Sequence, residues 1–234
     1  MSAPLSKQEQ IVEIDGLRTT VVGSAAPQSA LIVLLHGFGM TAADLAPFAH
    51  SLGLPALFLF PEAPLPGYPA GRSWFELDME ARRTAQLAGP RDLATRVPAN
   101  LGVASERLDT YLQACRIRFQ PQRLILGGFS QGGMLSCDWL LHHTAAIDAL
   151  MLLSASRLNA AAWATRRERL SGLPTLISHG KRDADLAFSA GVALRDFVGA
   201  AGGQVTWVPF DGGHEIPLVV WRAIRKFLLP FTVT

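Results

Sequence analysis

The apolar positions of this 234-residue chain fall into short dense runs separated by polar, glycine- and proline-rich stretches. Near the start, IVEI (11–14) and LRTTVV (17–22) flank Asp15-Gly16, a turn pair that favours a two-stranded antiparallel hairpin. From Ala30 onward the runs change character. ALIVLL (30–35), ALFLF (56–60), RLILGG (123–128), ALMLLSAS (149–156), LPTLISHG (173–180) and QVTWVPF (204–210) are rich in consecutive apolar residues. Strands buried on both faces of a parallel sheet read this way. Helical spacing occupies the intervals, from about Thr41 to Ser51 and then over Ala104–Phe119, where Leu108, Tyr111, Leu112 and Cys115 share one face. It returns over Gly133–His143, over Leu186–Gly203 with a glycine stop, and over Leu218–Phe231. Strand and helix alternate to the end. The pattern predicts an α/β fold with a mostly parallel central sheet, helices on both faces and an N-terminal antiparallel hairpin. Residues 64–98, rich in Pro, Gly and Arg, are expected to form an irregular excursion. No repeat or linker divides the chain, so residues 1–234 are expected to form a single domain.

Composition narrows the class. With 49% hydrophobic and 17% charged residues, the chain can bury a substantial core. Its apolar runs are far shorter than the roughly 20 residues of a membrane span, so no stable membrane insertion is expected. The start, MSAPLSKQEQ, lacks the apolar stretch a signal peptide needs. Cys115 and Cys137 both fall in helical segments and are expected to be reduced and buried, which suits a cytoplasmic protein. The net charge of +2 is spread along the chain, and its densest cluster, RRER (166–169), has no interleaved aromatics. That reads as a solvated helix face and not as a nucleic-acid patch. The six histidines show no metal-ligand spacing, so no metal is expected.

The chemistry gathers around LILGGFSQGGM, which holds four glycines within seven residues, 127–133. It stands where a parallel strand turns into a helix, the end of the sheet at which ligands collect. GFSQG fits G-x-S-x-G, a sharp turn that holds its serine, here Ser130, strained and exposed. Gly128 and Gly132 would relieve crowding at that turn. The amide of Gln131 opens a helix and can donate to a developing oxyanion. A serine hydroxyl needs a base, and the base needs an acid to hold its tautomer. Asp183 in TLISHGKRDADL and His214 in FDGGHEI each follow a later strand, and the order Ser, Asp, His is that of α/β-hydrolases. Asp185 competes for the acid role but reads as a helix N-cap, and Asp211 reads as a turn former. The glycine-rich LLHGFGM offers a second oxyanion donor, the Phe38 N–H, with His36 bracing the loop. Arg72, Arg82, Arg83, Arg91 and Arg96 are expected to face water, with recognition of an anionic substrate as the alternative. Two other functions stay open at this point. One is a hydrolase-fold module that only binds a ligand. The other is a dinucleotide-binding oxidoreductase, since GFGMTA reads G-x-G-x-x-A and Glu62 follows the next strand. The latter leaves Ser130, Asp183 and His214 without a role.

LLHGFG, FPEAP, RSWFEL, GGFSQGGM, HGKRDADL and GGHEI occur in one order over about Leu31–Phe227. In this the chain resembles the phospholipase/carboxylesterase family of α/β-hydrolases, which includes acyl-protein thioesterases and small bacterial carboxylesterases. The resemblance implies hydrolysis of carboxylic esters or thioesters through an acyl-serine, without a cofactor. It implies Ser130, Asp183 and His214 as the triad, Phe38 and Gln131 as the oxyanion hole, and Trp74, Met134 and Leu186 against the substrate. The implied partner is a small acyl ester or thioester, lipid-derived as one option, and a homodimer is compatible with it. The chain departs from the family's pattern in having Glu62 where a histidine is common, in lacking valine-proline after the triad acid, and in the arginine-rich excursion. These departures touch the substrate and not the chemistry.

Overall fold

In the computed structural model, residues 9–23 and 30–232 are described; the segment read above for a signal peptide lies, over 1–8, outside them. The hairpin forms as expected. β1 (Glu9–Ile14) and β2 (Leu17–Val22) pair antiparallel, and Asp15 and Gly16 both take positive φ, at 48° and 68°. Gly16 does so without strain, and Asp15 is among the few residue types that tolerate that region. The apolar runs become β3 (Ala30–Leu35), β4 (Ala56–Pro61), β7 (Arg123–Phe129), β8 (Ala149–Leu153), β9 (Pro174–Gly180) and β10 (Gln204–Phe210). β3, β4 and β8 are buried at every position, which is why their sequences do not alternate. All join one eight-stranded sheet in the order β1-β2-β4-β3-β7-β8-β9-β10. From β4 to β10 every neighbouring pair is parallel, and β2 meets β4 antiparallel.

Five principal helices cover the two faces: α1 (Ala42–Leu52), α3 (Leu101–Phe119), α4 (Gln131–His142), α6 (Phe188–Ala200) and α7 (Leu218–Thr232). Leu108 and Leu112 of α3, Leu135 and Trp139 of α4, and Leu194 of α6 pack with Val33, Leu126 and Leu152 on one face. Leu45 of α1 and Ile224 of α7 pack with Ile32, Phe58 and Met151 on the other. The chain leaves β3 to one side, forming β4, and returns to the other side as β7. That reversal opens a crevice beyond the carboxyl ends of β3 and β7, the place where α/β sheets bind ligands. No helix among the described residues is long and apolar enough to cross a membrane.

The excursion is more regular than its composition suggested. It contains a short antiparallel pair, β5 (Leu65–Pro66) with β6 (Arg72–Ser73), and a helix, α2 (Met79–Leu87). α2 is short, largely polar and buries none of its residues, so no apolar run marks it in the sequence. Its start is set by Asp78, whose carboxylate accepts the Ala81 N–H at 2.9 Å. Helix α5 (Ala160–Ala164) and a 3₁₀ turn (Arg167–Leu170) were also absent from the sequence reading. Of the RRER cluster, Arg166, Arg167 and Glu168 are exposed at that turn, as a solvated face should be, and Arg169 is partly covered. Arg169 donates to the carbonyls of Leu140, His143 and Ala145, closing the exposed end of α4. Cys115 and Cys137 are free and buried, and burial pushes the Cys115 thiol up to about 12.

Candidate active site

Ser130 follows β7 directly and is the N-cap of α4, with φ 52° and ψ −115°. A non-glycine residue held there is strained, and such strain persists only where the surroundings over-determine it. The surroundings are the glycines. A Cβ on Gly128 would collide with the Gly132 backbone, and one on Gly132 with the Leu35 carbonyl. The strand end and the helix start therefore touch backbone to backbone; Ser130 lines the crevice but is only 8% exposed, less open than expected of it. Gly132→Ala is expected to destabilise the fold by about 3 kcal/mol, the upper part of the overpacking range, seen as a lowered urea midpoint with unchanged slope.

His214 sits in the loop after β10 and Asp183 in the loop after β9. His214 Nε2 lies 2.9 Å from Ser130 Oγ, and His214 Nδ1 lies 2.6 Å from Asp183 Oδ2. The carboxylate settles the tautomer: Nδ1 carries the proton and Nε2 is free to accept the serine's. The Phe129 ring rests against the imidazole at 4.8 Å. Asp183 Oδ1 accepts the N–H groups of Asp185 and Leu186 at 2.8 and 2.9 Å. Burial alone would raise the Asp183 carboxyl. The bond and charge of His214 and the two amides outweigh it, and the net shift is downward. Asp183 is thus an anion, fixed at both oxygens.

A second imidazole stands on the same carboxylate. His179, at the end of β9, is fully buried, with Nε2 3.0 Å from the Leu186 carbonyl and 3.4 Å from Asp183 Oδ2. Its ring fits only because Gly191 of α6 has no Cβ. Its Nδ1 has no hydrogen-bond partner among the described residues. Sequence reasoning missed this residue, although its place four before the acid at a strand end was visible.

Phe38 and Gln131 both line the crevice beside Ser130. The loop carrying Phe38 is pinned from two sides. His36 donates from Nδ1 to the Gly37 carbonyl at 2.8 Å and accepts the Ala63 N–H at Nε2 at 3.1 Å, the bracing expected of it. Gly39 N–H donates to the Arg72 carbonyl and Arg72 N–H to the Met40 carbonyl, each at 2.9 Å. The Gln131 side chain reaches across to the excursion, accepting the Trp74 N–H at 2.9 Å and donating to the Phe75 carbonyl at 2.8 Å.

Trp74 corrects an expectation. It does not line the crevice but lies beneath it, 3% exposed, its Nε1 donating to the His36 carbonyl at 2.9 Å. Phe75, its neighbour, takes the lining position together with Met134 and Leu186. Asp185 corrects another, because the cap of α6 is Ala187. The Asp185 carboxylate instead accepts Arg82 Nη2 at 2.8 Å, Gln86 Nε2 at 2.8 Å, and Arg91 Nη2. Of the five arginines, Arg83 and Arg96 are exposed as expected, but Arg72 donates to the Ala63 and Pro64 carbonyls, and Arg82 and Arg91 are mostly covered. The crevice encloses about 440 Å³. Its charges balance, with Arg82, Arg91 and Arg96 against Glu76, Asp78 and Asp185. Asp211 pairs with Arg182 at the surface. Among the described residues no cluster of His, Cys, Asp or Glu could hold a metal ion.

Burial lowers the pKa of both His36 and His179, outweighing the carbonyls and carboxylates that would raise them. Both fold as neutral rings, whereas the unfolded rings titrate near 6.5. The stability this lends is present above that value and lost as pH falls through the lower folded values. Asp183 and Asp185 act the same way at lower pH, below 3.8. Asp138, raised by burial, opposes them: its contribution is present below 3.8 and fades as pH rises. The melting temperature should hold between about pH 8 and 7 and decline from roughly pH 6.5 downward. A flat profile to about pH 5 by calorimetry would contradict the neutral, buried assignment.

The family described as phospholipase/carboxylesterase matches residues 18–230. Acyl-protein thioesterase 1 of Neurospora crassa is 24% identical over 230 residues, covering 89% of each chain. The solved esterase PE8 superposes with a TM-score of 0.78 at 24% identity, over 92% of this chain and 99% of its own. A carboxylesterase from Mesorhizobium loti gives 0.73 at 18% identity, over 94% and 98%. With the match running from β2 into α7, this chain belongs to the phospholipase/carboxylesterase family of α/β-hydrolases.

Proposed function

We propose that the chain is a serine hydrolase of carboxylic esters or thioesters, with Ser130 as nucleophile, His214 as general base and Asp183 as the acid that orients it. The observation that carries this reading is the unbroken line of short contacts from Asp183 Oδ2 through both nitrogens of His214 to Ser130 Oγ. Ser130 Oγ attacks the acyl carbonyl while His214 Nε2 takes its proton. Negative charge gathers on the carbonyl oxygen, and the N–H groups of Gln131 and Phe38 receive it, with the N-terminus of α4 adding its dipole. His214 then protonates the departing alkoxide or thiolate. Water repeats the sequence on the acyl-serine and frees the acid. The largely apolar crevice suits an acyl chain, and a lipid-derived ester is the substrate we favour. Its balanced charge gives no preference for an anionic one. We further propose that residues 1–234 act as one domain in the cytoplasm.

The dinucleotide alternative finds its positions already used. The α1 N-terminus, where a pyrophosphate would sit, holds the Asp44 carboxylate, which accepts Thr41 N–H at 2.7 Å. Glu62, the ribose ligand of that reading, pairs with Arg18 at 2.8 Å. A fluorophosphonate probe distinguishes an enzyme from a binding module. Peptide mass spectrometry should find the adduct on Ser130, together with loss of p-nitrophenyl butyrate hydrolysis. Absence of both adduct and hydrolysis would sink the proposal.

A further inference from the structure

α2 roofs the crevice without being built into the core. Asp78, Ala81, Arg82 and Ala85 face the cavity, yet no residue of the helix is buried. Its hold is polar and converges on one carboxylate. Arg82 and Gln86, one turn apart on the helix, both donate to Asp185 at 2.8 Å. Arg91 donates to the same carboxylate, and its own backbone is fixed to the loop between β9 and α6: Arg91 N–H to the Asp185 carbonyl at 3.0 Å, and Ala187 N–H to the Arg91 carbonyl at 2.9 Å. Arg82 also lies over the Phe38 ring, 5.0 Å from its centre. Asp185 is half-buried and its carboxyl is pulled below the usual range: burial opposes this, but the charges of Arg91 and Arg82 prevail.

We infer that Asp185 is a specificity-determining residue: it clasps α2 down over the crevice and so limits the reaction to slim, unbranched acyl groups. The inference rests on the hydrolase reading of the same site. The carboxylate is the hub. Without its charge two guanidiniums lose their common partner, and α2 has no apolar anchor to replace it. The helix lifts, and the space above Phe75, Met134 and Leu186 widens.

The test uses the full chain with Asp185→Asn, and independently the double variant Arg82→Ala/Gln86→Ala, which leaves the residue 185 side chain and its Arg91 partner in place. Hydrogen–deuterium exchange without substrate should accelerate at the α2 amides in both variants and remain unchanged in α6. The ratio of kcat/KM for p-nitrophenyl cyclohexanecarboxylate to that for p-nitrophenyl heptanoate, acyl groups of equal carbon number, should rise by roughly tenfold, the scale of discrimination that a few apolar pocket contacts give. α2 exchanging at the wild-type rate in both variants overturns the clasp. Faster α2 exchange with an unchanged ratio overturns the specificity role. Because exchange is read without turnover, a failure of the hydrolase reading, seen as no adduct on Ser130, is told apart from a failure of the clasp.

Discussion

Ser130→Ala should lower kcat by about 10⁴–10⁶-fold and leave the fold intact. The loss is large because no other hydroxyl can be offered to His214 from the same place. Ser130 Oγ is put 2.9 Å from Nε2 by a backbone conformation that neighbouring glycines enforce. The fold should survive because the strain belongs to the main chain. Alanine at φ 52° costs about what serine costs, and the bond Ser130 makes through its N–H to the Leu153 carbonyl, 2.8 Å, is kept. Residual hydrolysis above the uncatalysed rate would come from the amides of Gln131 and Phe38. Circular dichroism and the melting temperature should match wild type while p-nitrophenyl ester turnover falls to that residual level. Wild-type turnover in a well-folded variant would remove Ser130 from the mechanism.

Asp183→Asn is expected to lower kcat by about 10⁴-fold with little change in shape. The side chain of residue 183 is wholly inside the protein and receives N–H groups at both oxygens. Asparagine has one oxygen. If that oxygen keeps the Asp185 and Leu186 amides, the new NH₂ faces His214 Nδ1 and forces the ring to its other tautomer. The Nε2 proton then points at Ser130, and the base can no longer take a proton. The variant should bind a substrate analogue while turning over slowly, so kcat falls far more than KM changes. A loss at Asp185→Asn as deep as this, with Asp183→Asn active, would move the acid role two residues along.

Much of this architecture could be read from the chain itself, and the reasons are local. Strands buried on both faces write continuous apolar runs, so β3, β4, β7 and β8 were legible. A turn that crowds backbone against backbone demands glycine, so Ser130 stood out between Gly128 and Gly132. His214 and Asp183 were singled out because a nucleophilic serine would need partners at strand ends, and the two lie in one line of contacts with Ser130. What escaped was set by contacts distant in sequence or by elements with no core to face. α2 is short and largely polar and buries nothing, so no core-facing run marks it. The Asp185 carboxylate reads as a cap until its partners, 94, 99 and 103 residues away, are brought to it. Trp74 was expected in the crevice by resemblance, and its indole N–H was satisfied beneath it instead. A buried indole N–H needs an acceptor, and the His36 carbonyl is there.

Residues 72–75 grip the loop and turn beside Ser130 through Met40, Gly39 and Gln131, while residue 91 is stitched to the segment bearing Asp183. A single insert therefore belts both sides of the machinery. Transplanting a relative's insert to alter substrate range would also retune the alignment of the catalytic groups, unless the donor piece keeps both sets of stitches. Exchange confined to 76–90, between the two anchors, is the modular unit.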